Sequence, residues 1–142
     1  VSTDLHDALD ALDGEGTVET GRTGGRATVD VERAGPIGAR VRRVRVERDE
    51  PWDISERAHD LPGRLRAIPE RVEAQEVAPE LGGAILRTVP DDLRGDGYYE
   101  VEVGERHAEV RRVGLDDGER TEAAFDVTRE QLGRLLDELD GE

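Results

Sequence analysis

The sequence predicts an α+β fold, a mostly antiparallel sheet with amphipathic helices packed on one face. Three observations point there. The two ends of the chain carry apolar residues at helical spacing: Leu5, Ala8, Leu9 and Leu12 at one end, Leu132, Leu135, Leu136 and Leu139 at the other. Between them run short segments in which apolar and polar residues alternate, as half-buried strands do. Finally, the order strand, strand, helix can be read twice.

The elements follow in chain order. "STDLHDALDALDG" (2–14) is a helix, capped by Ser2 or Thr3, with Asp4 in its first turn and ended by Gly14. A short strand fits 17–20 within the glycine-rich stretch that follows. "RATVDVER" (26–33) puts Ala27, Val29 and Val31 on one face. "AGPIG" is a turn, and "ARVRRVRVERD" (39–49) a further strand. After "PWDIS", Ser55 is the expected cap of a short helix that breaks near Leu61–Pro62. A second helical piece would carry Leu65 and Ile68, with Pro69 closing it. Residues 70–90 read as two strands around Pro79 and Gly82–Gly83. Residues 91–97 read as a loop. "YYEVEV" (98–103) and "AEVRRVGL" (108–115) form a hairpin about "GERH". After the loop or ragged strand "DDGERTEA", "FDV" leads into a helix at 129–140. Thr128 and Gln131 have the spacing of a capping box there, with Val127 and Leu132 as a staple.

"PWDIS" (51–55) and "AFDVT" (124–128) hold the only Trp and the only Phe, and each follows a strand containing "VRRV". They suggest an internal duplication of a β-hairpin-plus-helix unit, with halves 1–69 and 70–142 of a single domain spanning 1–142. Val41 and Val44, like Val110 and Val113, are three apart. One buried face cannot hold both members of such a pair without a bulge, so either each strand bulges at its double arginine or one Val faces away. Trp52 and Phe125 should occupy equivalent, largely buried places.

Composition bounds the function. With 35% hydrophobic and 3% aromatic residues, the core must be built from Val, Leu, Ile and Ala, each worth roughly 1.5–3 kcal/mol when buried. The net charge is −15, all 20 basic residues are Arg, and Lys, Asn, Cys and Met are absent. That is a salt-adapted composition: in molar salt the Debye length falls to about 3 Å and the acidic surface repels itself little. Acidity without a basic tail disfavours nucleic acid as a partner. The lack of Cys rules out disulfides and thiolate metal sites and favours the cytoplasm. No apolar run is long enough for a membrane span, so no membrane partner is expected.

Few residues suggest chemistry. His6, His59 and His107 lack zinc-pair spacing, and "GRTGG" lacks the lysine of a phosphate loop. Asp4, Asp7 and Asp10 line one helix side and read as a solvated face rather than a cation site. Ser55 reads as a cap rather than a nucleophile. No catalytic residue, metal ligand or cofactor is assigned. The arginines are segregated: Arg40, Arg42, Arg43, Arg45 and Arg48 fall beside a single acid, Glu47, whereas residues 1–21 hold six acids and no Arg. They either bind an anion or acidic partner through guanidinium forks, or pair across strands with Asp30, Glu32, Glu100 and Glu102. Tyr98 and Tyr99 lie on opposite strand faces, one in the core and one exposed or interfacial. The candidate contact residues are therefore Arg42, Arg43, Arg45, Arg111, Arg112 and Tyr98.

The element order resembles, in order alone and without a shared motif, the small dimeric chaperones of secretion systems. The leading expectation is a non-enzymatic module that binds a protein or peptide and acts as a homodimer. An anion- or nucleotide-binding domain using the arginine-rich strands is the alternative, and a carboxylate-based hydrolase ranks third.

Overall fold

A computed structural model describes residues 2–12, 14–68, 72–88, 97–116 and 119–141. The chain runs α1 (Ser2–Ala11), β1 (Gly16–Arg22), β2 (Gly25–Ala34), β3 (Gly38–Arg48), α2 (Ile54–Arg64) and β4 (Val72–Ala78). A 3-10 turn at Pro79–Leu81 leads to β5 (Gly83–Thr88), β6 (Gly97–Gly104), β7 (His107–Asp116), β8 (Glu119–Ala123), β9 (Phe125–Thr128) and α3 (Arg129–Asp140). The α+β class with a mostly antiparallel sheet is what the residues predict.

The nine strands among the described residues form one sheet in the order β1-β2-β3-β7-β6-β5-β4, with every pairing between them antiparallel. Its centre is a fork. β3 pairs with β7 only over Arg43–Glu47 against His107–Arg111. Beyond that the two strands part, and the segment 119–128 enters between them. β8 pairs with the far half of β7, Arg112–Asp116, and β9 with the near half of β3, Gly38–Val41. Of the expected loop or ragged strand at 116–123, the described residues, 116 and 119–123, are strand, and 117–118 lie outside what is described.

Valine, leucine and alanine do build the core. One apolar cluster draws on Leu5 and Leu9 of α1, Ala58 and Leu61 of α2, and Leu132, Leu135, Leu136 and Leu139 of α3. It also takes Val29, Val41, Val44, Leu86, Val101 and Val110 of the sheet. The leucine stripes of α1 and α3 are spent inside their own chain.

The two "VRRV" stretches solve the same spacing problem differently. In β3 the register against β2 shifts: Asp30 faces Arg43 but Val31 faces Val41. The bulge lets Val41 and Val44 both bury completely, with 0% exposure each. β7 keeps its register with β6, so Val110 faces the core and Val113 turns to the other face, opposite Tyr98. Trp52 and Phe125 also sit differently. Trp52 is half-buried in an irregular segment, whereas Phe125 is buried in β9 opposite Val41.

Two expectations about the middle helix are corrected. The cap is Asp53, whose carboxylate accepts from the Glu56 N–H at 2.9 Å, and Ser55 lies inside the helix. Aspartate two positions earlier competes successfully because its ψ of 117° is already extended. The helix does not break before Pro62 but runs on to Arg64. Pro62 falls in the last turn, and Leu65 N–H closes the end on Leu61 C=O at 2.9 Å. Leu65 and Ile68 are buried, yet they follow the helix as irregular chain rather than forming a second piece. At α3 the capping box of Thr128 and Gln131 forms as its spacing predicts, with bonds of 2.9 and 3.0 Å. Ser2 and Thr3, the expected caps of α1, already fall inside the helix, while Pro69 and residues 91–96 of the expected loop lie outside what is described.

Candidate binding surface

On the sheet face away from the core, the arginines meet carboxylates. Arg43 bonds Glu122 at 3.0 Å, and Arg42 bonds Glu15 at 2.6 Å with Glu32 at 3.7 Å. Arg45 donates to Glu47 at 2.9 Å and lies 3.7 Å from Glu109. Arg111 reaches Glu100 at 3.0 Å, Glu109 at 3.2 Å and Glu102 at 3.6 Å. Arg87 closes the set on Glu100 at 3.2 Å. Glu100 and Glu109 are each only 8% exposed, a burial that carboxylates tolerate because guanidiniums supply their hydrogen bonds. The lattice also holds its acids ionised. Burial by itself would raise the Glu47 carboxyl, but hydrogen bonds from Arg45 and Arg26 hold it below its ordinary value. The Glu122 carboxyl is lowered chiefly by its bond to Arg43.

The six residues singled out by sequence do not form one site. Arg43 pairs with Arg111 in register, so these two and Arg45 share the outer face. Arg112 turns to the core side and stacks on the Tyr99 ring at 4.8 Å. Tyr99 is the core tyrosine, edge-on to Phe125 at 5.2 Å. Tyr98 lies on the outer face but is only 9% exposed. The guanidiniums of Arg87 and Arg120 lie 5.5 and 5.9 Å from its ring centre.

A less closed surface lies at one end of the sheet. The β4–β5 and β6–β7 turns meet there, beside the segment that carries Trp52. The Trp52 indole N–H donates to Gly104 C=O at 2.5 Å, and the Trp52 backbone N–H to Glu105 C=O at 2.9 Å. The guanidiniums of Arg57 and Arg48 lie over its ring at 4.5 and 5.6 Å. Arg57 also donates to Leu139 C=O and so closes the C-terminus of α3, where cations are favoured. Burial first, then the charges of Arg64 and Arg48, lower the Arg57 pKa from its ordinary value.

His107 stands between two concavities at this end. Its Nε2 lies 2.9 Å from Glu102 Oε1, and its ring lies so close over Gly104 that a methyl group there would collide with it. That bond is the largest cause of a lowered Glu102 pKa; burial opposes it, and Arg111 adds to it. On one side is an apolar hollow of about 270 Å³ under Leu81, with Ala78, Ile85 and Val103 in its wall. On the other is a polar hollow of about 460 Å³ lined by arginines. Leu81 is 83% exposed and Val77, on the same hairpin, 43%.

Among the described residues, no group of three or more His, Cys, Asp or Glu is placed to hold a metal ion. No helix among them is long and apolar enough to cross a membrane. Comparison with known proteins finds no matching family model, no matching curated protein and no matching solved structure. Sequence reasoning passed over Leu81, Arg57 and Arg106, weighed His107 only as a zinc ligand, and gave Trp52 only a buried structural place. The available signal was local: an exposed leucine beside "GG" in a tight turn, and arginines four before and five after the lone tryptophan.

Proposed function

We propose that the chain is a non-enzymatic binding module that takes an extended segment of a partner protein or peptide along the free edge of β4. The observation that supports this most is Leu81, a large apolar side chain left in solvent above an apolar hollow, next to the strand that ends the sheet among the described residues. Among the described residues β4 has β5 as its only neighbour in the sheet, which leaves its outer edge open to strand addition. The other sheet edge, β1, exposes Thr17, Glu19 and Gly21 and offers no apolar anchor. Ile37, also well exposed, sits in the β2–β3 turn, where the adjoining stretch of β3 is already paired by β9.

Homodimerisation belongs to the same proposal, with a change of surface. The leucine stripes of α1 and α3 are buried, so a second copy would meet β4 instead. That contact would bring Glu73 and Glu76 of both copies together, so dimers should form only in high salt. Light scattering of the eluted species in dilute buffer and in molar KCl tests this; a monomer in both overturns it. Duplication of the strand–strand–helix unit is kept only as a reading of the chain's origin: β2-β3-α2 and β6-β7 with α3 share the order and β3 lies beside β7, but β8 and β9 intervene in the second copy and Trp52 and Phe125 sit differently.

The binding proposal is tested by selecting displayed linear peptides on the chain in molar KCl. Peptides with alternating apolar residues should be enriched on the wild type and lost on Leu81→Asp. No enrichment, or enrichment that Leu81→Asp leaves intact, overturns it. An anion seated on Arg43, Arg45 and Arg111 would have to displace the carboxylates already bound there, which is why that reading ranks second.

A further inference from the structure

The polar hollow beside His107 carries the wrong charge for this chain. It is lined by Arg26, Arg45, Arg48 and Arg106 against only Glu47 and Asp49, in a protein of net charge −15. Arg26 and Arg45 are both committed to Glu47, at 2.6 and 2.9 Å. Arg48 and Arg106 contact no carboxylate among the described residues. The Arg48 Nε is buried and has no hydrogen-bond partner among the described residues. A guanidinium in that state forgoes a bond it could make in water, a cost that turning toward an anion in the hollow would remove.

The two arginines are also fixed beside each other. The Arg48 backbone N–H donates to Arg106 C=O at 2.7 Å, joining the end of β3 to the β6–β7 turn. Trp52 supports Arg48 from behind, with Arg57 sharing the same ring. Two arginines that line one hollow and whose backbones are hydrogen-bonded suit a small anion with several oxygens.

We propose that this hollow is an oxyanion site in which Arg48 and Arg106 hold a phosphate-class dianion. Four guanidiniums against Glu47 and Asp49 leave the hollow two positive charges in excess, which match two negative ones. The Trp52 ring is occupied by guanidiniums and is not free to stack on a nucleobase, so the ligand is recognised by its phosphoryl group alone. The site is separate from the β4 edge, and its existence does not depend on the partner proposed above.

Inorganic phosphate, phosphoserine and acetate are titrated in turn at constant ionic strength. Binding is followed by calorimetry and by the fluorescence of Trp52, the chain's single tryptophan. Phosphate should bind saturably at one site and acetate should not. Tighter phosphoserine than phosphate would identify a phosphorylated group as the source, and the reverse would identify the free ion. Arg48→Gln and Arg106→Gln should each weaken binding on the order of tenfold, the loss of one charge-assisted bond. Arg33→Gln, on an exposed residue not among those lining the hollow, should leave it unchanged. Arg106 is an exposed turn residue, so its variant keeps the test valid if Arg48→Gln unfolds. No saturable phosphate binding by either readout, or binding unaffected by Arg106→Gln, overturns the proposal.

Discussion

At the residue scale, the same side chain does different work according to what it can reach. Arg22 is nearly inaccessible, yet it keeps its charge because Asp140 lies at 3.1 Å and Asp137 at 2.6 Å. Arg22→Ala would leave Asp140 buried without its cation, and we expect a loss of roughly 3 kcal/mol in urea unfolding. A loss below about 1 kcal/mol would show the pair to be solvated. Glu102 offers a pH-resolved counterpart. Its folded pKa is lowered, so the ionised form contributes stability above the ordinary carboxylate value of 4.5, and that contribution disappears as the pH falls through the depressed value. The stability gap between wild type and Glu102→Gln should therefore be widest near neutrality and close in acid. A gap independent of pH contradicts this. Such partners were half legible in the sequence. Alternation named Glu100 and Glu102 as cross-strand acids. Glu15 comes from a connection and Glu122 from β8, and only the assembled sheet fixes the path of either.

At the element scale, patterns set by local chemistry were readable and those set by competition between neighbours were not. Thr128 and Gln131 form their box because both groups needed lie within one turn. Thr128→Ala should cost about 1 kcal/mol. At α2, Asp53 and Ser55 both have capping side chains, and backbone geometry decides for Asp53. Asp53→Ala should likewise cost about 1 kcal/mol and Ser55→Ala much less; equal losses would return the cap to Ser55. The VRRV spacing correctly predicted a choice between a bulge and an outward valine. It could not show that β3 takes the first and β7 the second, because that depends on the register of β2 and β6.

At the scale of the whole molecule, charge divides the surface into a closed part and an open part. The outer sheet face ties its arginines to glutamates, whereas the end of the sheet near Trp52 leaves arginine and leucine unused. Helical and alternating apolar patterns made the class of fold legible. The binding surface was not, since turns bring it together from three distant segments. The excess acidity should make the fold salt-dependent: the melting temperature should climb between dilute buffer and molar KCl, and a flat response would contradict the salt-adapted reading. The central claim is strand addition at β4, and backbone hydrogen exchange measured with and without a selected peptide tests it most directly. The β4 amides should slow on binding, while those of β3 around Arg43 stay as they are. Unchanged β4 amides with new protection at Arg43–Arg45 would place the binding surface on the arginine face instead.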